Sequence, residues 1–387
     1  MTAVVREQGK IRVEHAGGLA DLAAHAEKWN ALALRSRQKL PCLSYAWVAT
    51  YFEHRLRADQ SAACLFAYED DDLLGVLPLV MTPHRLWGRR RPRLRMPFDW
   101  HTISVDFLVE PSREDEIIPL LISALDHVHP GWFCLELMRL PDSSPTLKVT
   151  GMAIPGLRVI HQFDGKGSYV DLEGGYDNFR KSLNSKFVKR LKYLNRKLSE
   201  DHEVTEEFLV EPDGLSEGID DFIELEGSGR KKEGGAIRLD SSLVAFYKKL
   251  AERLGGQGWL ELHFLKADGQ ILAGHFAPIL GDVLMIMKIS YNEDFGRYSP
   301  GSLLIERVTR HAFDIGGIKE INFLTDLPWN RKWRMKKRDY YNVLIFPRRP
   351  LSIVLGAWPA RAVQILKSIP LCGTICRRIK NLLRKGG

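Results

Sequence analysis

The residues that point most directly to chemistry lie at 299–302, where the sequence Ser-Pro-Gly-Ser leads from an apolar strand into an amphipathic helix. Ser299 is of a type that caps helices, Pro300 suits the first helical position, and Gly301 lets a ligand approach the backbone closely. The first acidic residue of this helix is Glu306, beyond the first turn, so no side chain neutralises the positive end of the helix dipole. Free N–H groups at such an end suit a phosphate. A helix start that only packs against a loop has the same residue types, and both interpretations stay open here.

Length, charge and cysteine usage narrow the class of protein. The chain has 387 residues, 45% apolar and 27% charged, and this composition fits a globular protein of two domains. Its formal net charge of +8 suits a phosphate-bearing ligand, a nucleic acid or an acidic membrane surface and does not choose among them. The five cysteines are odd in number and form no secreted-type framework, so a cytoplasmic setting is expected. Neither a signal peptide nor a membrane-spanning helix is predicted.

A strand–strand–strand–helix–strand order occurs twice in the sequence. In the second half, a helix from about 300 to 315 accompanies expected strands at 259–266, 271–279, 283–291 and 320–325. In the first half, a helix from about 113 to 128 accompanies expected strands at 63–69, 73–81, 102–110 and 132–140. The repeat predicts two similar domains, at 1–165 and 166–347, followed by a tail at 348–387.

The two predicted helices differ at their starts. The first-half helix opens with PSREDE, which places Glu114, Asp115 and Glu116 on its positive end, where they repel a phosphate. The second-half helix carries no acid in its first turn. We therefore expect the ligand in the second domain, and a supporting or acceptor-binding role for the first.

The order of these elements resembles the GNAT acyltransferase fold, and its duplication is similar to the FemAB-like branch of that fold. More narrowly, the chain looks like the CelD/BcsL family of bacterial GNAT-type acetyltransferases linked to cellulose and exopolysaccharide production. The segments that carry this resemblance, from about residue 43 to 346, include LLGVLPLV, SVDFLVEP, GRKKEGGAI, ILAGHFAPI, YSPGSLLIERV and FLTDLPWNRKW. The resemblance implies an α/β (α+β) fold of tandem GNAT-like domains, each a mixed, mostly antiparallel sheet flanked by helices.

The resemblance also implies transfer from acyl-CoA, with acetyl-CoA the expected donor and no metal. The CoA pyrophosphate is expected on the helix start and the pantetheine beside residues 286–291, and the acceptor is expected to attack the thioester directly. The donor-binding residues implied are Ile289, Ser290, Arg297, Tyr298, Ser299, Pro300, Gly301, Ser302 and Leu303. The sequence departs from the family pattern in two places. Its phosphate loop has one glycine, and residues 329–333 (WNRKW) replace Tyr-Lys-x-x-Trp.

Four residues are candidates for the chemical step, and a fifth can assist. Asp326 follows the last expected strand and can take a proton or orient the acceptor; a loop carboxylate that caps the next helix is the alternative. His275 and Lys288 interrupt apolar strands. The side chain of His275 points either into the cleft or into the core. That of Lys288 points either into the cleft or into solvent. Tyr291 and Tyr298 flank the loop and can donate to a leaving thiolate or a phosphate, or be ordinary buried tyrosines.

The acceptor side has three candidates, and two basic segments suggest further partners. Lys232, Trp329 and Lys332 lie where the resemblance places acceptor-binding residues.

The segment 178–199 carries eight Lys or Arg and no acid. It is expected to form a helix that meets a CoA phosphate, an acidic polysaccharide or tRNA, or one that is merely solvated. The tail at 348–387 mixes apolar and basic residues as helices on acidic membranes do, and docking on the protein itself is the alternative.

These features predict a cytoplasmic enzyme, peripheral at the inner membrane, that acylates a sugar or glycan in exopolysaccharide or cellulose assembly. No DNA partner is expected. Two alternatives stay open. One is an aminoacyl-tRNA-dependent transferase of the FemAB type, which the basic segment favours. The other is a non-catalytic scaffold of a polysaccharide synthase, which the departure from the glycine loop favours.

Overall fold

Alternating apolar residues build strands in both halves of the chain, and the helices between them bury one face on those strands. The structure is a computed structural model that describes residues 3–86, 89–228 and 236–368. Its helices are α1 Leu19–Ala23, α2 Ala26–Arg35, α3 Tyr45–His54, α4 Glu114–Val128, α5 Pro145–Gly151, α6 Tyr176–Ser182, α7 Ser185–Asp201, α8 Pro212–Ser228, α9 Ser241–Gly255, α10 Pro300–Ile315, α11 Pro350–Ser352 and α12 Trp358–Ser368. Its strands are β1 Ala3–Gln8, β2 Ile11–Ala16, β3 Ser61–Glu69, β4 Asp72–Thr82, β5 Arg85–Leu86, β6 Arg89–Arg90, β7 Arg93–Arg95, β8 Leu108–Val109, β9 Cys134–Pro141, β10 Leu157–Asp171, β11 Val204–Leu209, β12 Leu260–Ala267, β13 Gln270–Leu280, β14 Val283–Met285, β15 Lys288–Tyr291, β16 Glu320–Asn322 and β17 Lys336–Pro347.

One mixed sheet joins the two halves. Within the described residues it has 15 strands, in the order β1-β2-β3-β4-β7-β9-β17-β10-β16-β14-β13-β12-β11, with β8 beside β4 and β15 beside β13. β17 lies near the centre, antiparallel to β9 of the first half and to β10. The sheet is mixed, mostly antiparallel and flanked by helices, as expected, but one sheet runs through both halves where the sequence predicts one sheet in each. The predicted boundary at residue 165 falls within β10, at its bulge between Phe163 and Gly165, and the division into domains stays a prediction.

The two halves repeat one strand topology. In the first half β4 pairs with β7, and β7 runs parallel to β9, the strand that follows α4. In the second half β13 pairs with β14, and β14 runs parallel to β16, the strand that follows α10. In each half a second short strand pairs with the same long strand: β8 pairs with β4 in the first half, and β15 pairs with β13 in the second. This topology agrees with the repeat seen in the sequence.

The predicted strand at 102–110 is wrong except for β8. Thr102, Ser104 and Asp106 are buried polar residues whose side chains bond outside any strand ladder. The Thr102 hydroxyl accepts the indole N–H of Trp47 at 2.9 Å, and the Asp106 carboxylate accepts the Thr146 hydroxyl at 2.5 Å. Residues 96–107 thus form an insertion between β7 and β8, and the first-half counterpart of β14 is β7.

Two predicted strands of the second half are shorter than expected. The predicted strand at 283–291 breaks into β14 and β15 at Ile286 and Met287. The predicted strand at 320–325 ends at Asn322, because Leu324 adopts a left-handed φ of 57° and its N–H donates to the Asn322 side chain at 2.8 Å. Both breaks lie at the same end of the β14–β16 pair.

The basic segment predicted as one helix over 178–199 is two helices, α6 and α7. Between them Leu183 is buried with extended backbone. Asn184 caps α7, since its side-chain oxygen accepts the N–H groups of Lys186 at 2.9 Å and Phe187 at 3.4 Å. The apolar stripe on α7 is as predicted, and its buried members are Leu191, Leu194 and Leu198.

Helices cover both faces of the second-half strands. α7 and α10 bury their apolar residues on one face of β12 and β13, and α8 and α9 bury theirs on the other. α9 also packs on α3 of the first half, where the rings of Trp47 and Phe246 meet edge to face at 6.1 Å. Among residues 3–86, 89–228 and 236–368, no helix is both long enough and apolar enough to span a bilayer.

Candidate active site

The sheet opens at the end of the β14–β16 pair. The N–H of Ile286 still donates to the Asn322 carbonyl at 2.8 Å. Beyond this point β15 stays on β13, whereas the N–H of Phe323 donates to the Ser168 carbonyl of β10 at 2.9 Å. The two strands therefore diverge and leave a wedge, in which one edge of β15 has no strand partner among residues 3–86, 89–228 and 236–368.

The unpaired edge of β15 presents backbone groups to the wedge. In the register of β15 on β13, the N–H of Asn292 donates to the Leu272 carbonyl at 2.8 Å. Hydrogen-bonded pairs alternate along an antiparallel ladder, so the N–H and C=O groups of Ile289 and Tyr291 point away from β13. These groups are available to pair with the amides of an extended ligand.

The start of α10 lacks the side-chain cap expected of it. α10 begins at Pro300, as predicted, and has no acid in its first turn. Ser299 occupies the N-cap position, as predicted, but it has a left-handed φ of 53° and its side chain makes no cap hydrogen bond. A capping side chain reaches the helix N–H groups from extended backbone. Ser302 and Leu303 donate to the Ser299 carbonyl at 2.9 and 3.3 Å, and Gly301 keeps the one first-turn N–H that has no acceptor among the described residues.

A pocket of about 280 Å³ joins this helix start to β15. Its lining consists of Ile289, Tyr291, Gly296, Ser299, Pro300, Gly301, Ser302, Ile305 and Trp329. Sequence reasoning predicts all of these except Gly296 and Ile305. Ile305 follows Gly301 by one helical turn, so the helical period is the signal that identifies it. Gly296 lies in the turn before α10, where no periodic signal marks it.

Three predicted donor-binding residues support the loop and do not line this pocket. Tyr298 is buried; its hydroxyl donates to Asp201 at 2.5 Å and accepts from Arg297 at 2.5 Å. The hydrogen bond with Asp201 raises the pKa of Tyr298. The Arg297 guanidinium also lies 4.6 Å above the Tyr298 ring. Leu303 is buried in the core beneath α10. These contacts fix the loop to the end of α7.

Asp326 lies after the wedge and is held in an ion pair. Its carboxylate accepts from the Lys337 ammonium at 2.5 Å and from the Ser168 hydroxyl at 3.1 Å. The hydrogen bond from Lys337 lowers the pKa of Asp326. Asp326 does not line the pocket described above. Since a lowered pKa makes a carboxylate a weaker base, orienting the acceptor is the better supported of its two predicted roles.

His275 lies in the core rather than in the pocket. It is fully buried on β13, and its ring meets that of His263 edge to face at 5.8 Å. Neither ring nitrogen of His275 has a hydrogen-bond partner in the described part of the chain. Burial lowers the pKa of His275 well below its ordinary value, and His263 adds to this shift. A neutral imidazole in this position packs beneath α10 and does not reach the wedge.

Lys288 and Ser290 lie on the face of β15 opposite the pocket, because side chains alternate along a strand. The Lys288 ammonium donates to the Trp100 carbonyl of the first half at 3.2 Å. The Ser290 hydroxyl donates to the Leu225 carbonyl of α8 at 3.4 Å. The predicted site residues of β15 are therefore divided between two faces of one strand.

The predicted acceptor residues have different locations. Trp329 lines the pocket, and its ring meets Phe323 edge to face at 5.7 Å. Lys332 is exposed in the same short turn, Pro328–Trp333. Lys232 lies outside the described residues. Within those residues, no group of three or more His, Cys, Asp or Glu side chains is placed to hold a metal ion.

The matching helix start in the first half is filled by acids. Glu114, Asp115 and Glu116 occupy the first turn of α4, as predicted. Glu114 accepts from Arg37 at 2.6 Å, and Glu116 accepts from Arg113 at 2.9 Å. The positive end of α4 is thus neutralised within the protein, whereas that of α10 opens on a pocket.

A diverging strand pair beside a helix start without acid is the arrangement expected of a GNAT acyltransferase. Residues 185–331, which extend from α7 past the wedge, match the family model described as an acetyltransferase (GNAT) domain. The chain therefore carries a GNAT-type domain and is an acyltransferase by class. No curated protein matches the chain.

Solved structures share the fold over most of the chain. FemX superposes with a TM-score of 0.59 at 11% identity and covers 82% of this chain and 95% of its own. The C-terminal domain (DUF2156) of a putative lysylphosphatidylglycerol synthetase from Agrobacterium fabrum gives 0.53 at 13% identity, over 88% and 97%. A conserved protein of unknown function from Bacteroides thetaiotaomicron gives 0.52 at 12% identity, over 84% and 97%. At these identities the likeness concerns the fold.

Proposed function

We propose that this chain transfers an acyl group, with acetyl the first candidate, from acyl-CoA to a hydroxyl or amino group of a sugar or glycan. The observation that supports the donor is the start of α10, which has no acid in its first turn and opens on the pocket beside β15. The sugar acceptor, the cytoplasmic location and a role in exopolysaccharide or cellulose assembly rest on the resemblance to the CelD/BcsL family.

The residues of the pocket fit a CoA donor in two ways. The N–H of Gly301 and the dipole of a 16-residue helix suit a pyrophosphate. The outward backbone groups of Ile289 and Tyr291 suit the amides of an extended pantetheine, and the side chains of Ile289 and Trp329 give it apolar contact. Bound acyl-CoA would supply a thioester that an acceptor can attack directly.

The remaining chemistry is positioning and proton transfer. Attack by the acceptor oxygen or nitrogen forms the new bond to the acyl carbon while the carbon–sulfur bond breaks, and the proton of the acceptor leaves to a base or to water. Tyr291 is half-exposed at the pocket and can donate to the leaving sulfur. Asp326 can orient the acceptor, held in place by Lys337.

Titration with acetyl-CoA of the wild type and of Gly301→Asp tests the donor site. A side chain at Gly301 would meet only Tyr291, with the nearest ring carbon 3.9 Å from the new Cβ, so the fold accommodates the change. An acid in the first helical turn stabilises a free helix by about 0.3–1 kcal/mol, so lost binding would not be caused by unfolding. We expect the wild type to bind acetyl-CoA, and the variant to bind it with an affinity lower by about tenfold or more.

Gly165→Asp is the matched control for this experiment. It introduces the same charge at a glycine whose Cβ position is also open, in the bulge of β10. We expect this control to bind acetyl-CoA as the wild type does. A well-folded wild type that does not bind, or a Gly301→Asp variant that binds equally, would contradict the proposed donor site.

A second candidate function is aminoacyl transfer from tRNA, as in the FemAB type. The observation that favours it is the row of exposed cations on α6 and α7, which comprises Lys181, Lys186, Lys189, Arg190, Lys192 and Arg196. The fold likeness to FemX fits this candidate as well as the first. A row of cations of this kind suits a phosphate backbone.

A peripheral membrane contact through the C-terminal segment is also part of the proposal. Residues 350–387 contain seven Lys or Arg and no Asp or Glu. In the described part of this segment, Trp358, Ile365 and Val354 expose 64%, 54% and 45% of their surface on one side of α12 and the turn before it. Ala357 and Ala360 face the protein instead. An apolar face with flanking cations is typical of a helix that lies on an anionic bilayer.

A further inference from the structure

Trp100 is the most exposed of the large apolar side chains in the described part of the chain, with 78% of its surface accessible. It lies at the tip of a two-residue turn between Asp99 and Thr102, in the insertion that separates β7 from β8. A single exposed apolar residue is common on protein surfaces. Whether this exposure is incidental depends on how the turn is held.

Hydrogen bonds fix the turn that carries Trp100. Asp99 and Thr102 exchange two backbone hydrogen bonds of 3.2 Å. The Asp99 carboxylate also accepts the N–H groups of His101 and Thr102, at 2.8 and 2.9 Å. Arg55 donates to the second carboxylate oxygen of Asp99 at 3.0 Å. These hydrogen bonds therefore fix the backbone of the turn, which places the Trp100 side chain at the surface.

The same turn reaches from the first half to the wedge of the second. Lys288 of β15 donates to the Trp100 carbonyl at 3.2 Å. His101 Nδ1 lies 2.9 Å from the hydroxyl of Tyr247 on α9. Lys288 lies on the face of β15 opposite the donor pocket, so its contact with the Trp100 carbonyl brings the turn to that face of the strand, away from α10.

We infer that Trp100 is the surface on which a pyranose ring of the acceptor stacks, approaching the unpaired edge of β15 from the face opposite the donor. The apolar C–H face of a pyranose packs well on an indole. Donor and acceptor on opposite sides of one strand edge can meet there without competing for space. This inference rests on the proposed function for the identity of the acceptor, and it gives the first half an acceptor-binding role.

Sugar binding by four full-length proteins tests the inference: the wild type, Trp100→Ala, Trp100→Phe and the control Trp358→Ala. Trp358 is a comparably exposed tryptophan on α12, with 64% of its surface accessible. Saturation-transfer NMR would use glucose, glucosamine and cellotetraose as probes, and calorimetry would measure acetyl-CoA binding in parallel. We expect at least one sugar to bind the wild type and the control, with about tenfold weaker binding to Trp100→Ala and a smaller loss in Trp100→Phe. The affinity for acetyl-CoA should be the same in all four proteins.

The two readouts separate this inference from the proposed donor. If none of the three sugars binds the wild type, or if Trp100→Ala binds them equally, the inference is overturned, whatever acetyl-CoA does. Sugar binding that depends on Trp100 in a protein that does not bind acetyl-CoA would support the Trp100 surface and contradict the donor assignment. A loss of acetyl-CoA affinity in Trp100→Ala would place Trp100 on the donor side and overturn the inference as well.

Discussion

The Lys337 ammonium lies 2.5 Å from a carboxylate oxygen of Asp326, and this contact holds the carboxylate in its charged form. Asp326→Asn therefore distinguishes a base from an orienting group. Loss of a general base typically costs about 10²–10⁴ in rate, whereas loss of an orienting group weakens acceptor binding first. We expect less than about a tenfold loss of kcat, a higher KM for the acceptor and an unshifted pH–rate profile.

Lys337→Met is the matched control, because it removes the partner and leaves the carboxylate. It should raise the pKa of Asp326 towards its ordinary value of about 4. The ion pair stabilises the fold fully above the ordinary pKa of Asp326. This stabilisation is lost as the pH falls through the lower pKa of the folded state. For a partly exposed pair it amounts to less than about 1 kcal/mol. A hundredfold loss of kcat in Asp326→Asn, with a shifted acidic limb, would show that Asp326 is the base.

Burial of His275 predicts an acid-sensitive fold. The folded chain keeps this imidazole neutral, whereas the unfolded chain protonates it below about pH 6.5. The unfolded state then binds one more proton, so the free energy of unfolding falls as the pH falls, by up to about 1.4 kcal/mol per pH unit from this residue. The titratable side chain whose ring meets that of His275 is His263, which lies 2.6 Å from Glu261 on the same strand, β12.

His275→Leu should remove this part of the pH dependence. Urea unfolding of the variant and the wild type at pH 8 and pH 5.5 measures it, and the difference between the two proteins should change in favour of the variant as the pH falls. The pH 8 measurement controls for the packing effect of the substitution. An unchanged difference between the two pH values would show that His275 is protonated, or accessible to water, in the folded state.

How far the sequence predicts the site depends on the kind of signal each residue carries. The start of α10 can be predicted because Pro300, Gly301 and the absence of an acid are local features of the sequence. The structure brings Pro300 and Gly301 together with Trp329 in one pocket. The directions of the β15 side chains are harder to predict. Strand alternation shows that neighbours point to opposite faces but not which face is the cleft, so Lys288 and Ser290 appear among the candidate site residues although they lie on the face opposite the pocket.

Long-range contacts explain what the sequence does not predict. The apolar segment at 102–110 has the composition of a strand, yet buried polar residues such as Asp106 bond to groups 40 residues away in the chain and hold it outside the sheet. A further long-range contact, from Arg55 to Asp99, helps to hold the turn that carries Trp100, a residue that no motif identifies. The fold class can be predicted from the repeat of elements, whereas the position of β17 between β9 and β10 is seen only in the tertiary structure.

The cations of α7 give a prediction specific to the tRNA candidate. Replacing Lys186, Lys189 and Lys192 by Gln removes three exposed charges and leaves the buried leucine stripe of that helix intact. If the chain binds tRNA through this helix, the slope of log affinity against log salt should become shallower by about 2 to 3. Filter binding across a salt series measures this, with Lys10→Gln as a control on a distant exposed lysine. A slope unchanged by the triple variant would contradict tRNA binding at this surface.

The exposed apolar side of α12 gives a prediction for the membrane contact. Trp358→Ser with Ile365→Ser removes two exposed apolar side chains and leaves Ala357 and Ala360, which pack on the protein, in place. Burial of apolar surface contributes about 25 cal/mol per Å², so losing two large side chains should lower vesicle binding by on the order of tenfold or more.

Co-sedimentation of the full-length protein with phosphatidylglycerol vesicles, and with phosphatidylcholine vesicles for comparison, measures this contact. Because residues 350–387 carry seven Lys or Arg and no acid, we expect binding to the anionic vesicles, weakened by salt and by the double variant. Truncating the chain is the poorer test, since it would also uncover Phe133 and Phe346 of the core beneath this segment. Equal sedimentation of the wild type and the double variant on anionic vesicles would show that this face does not bind the bilayer.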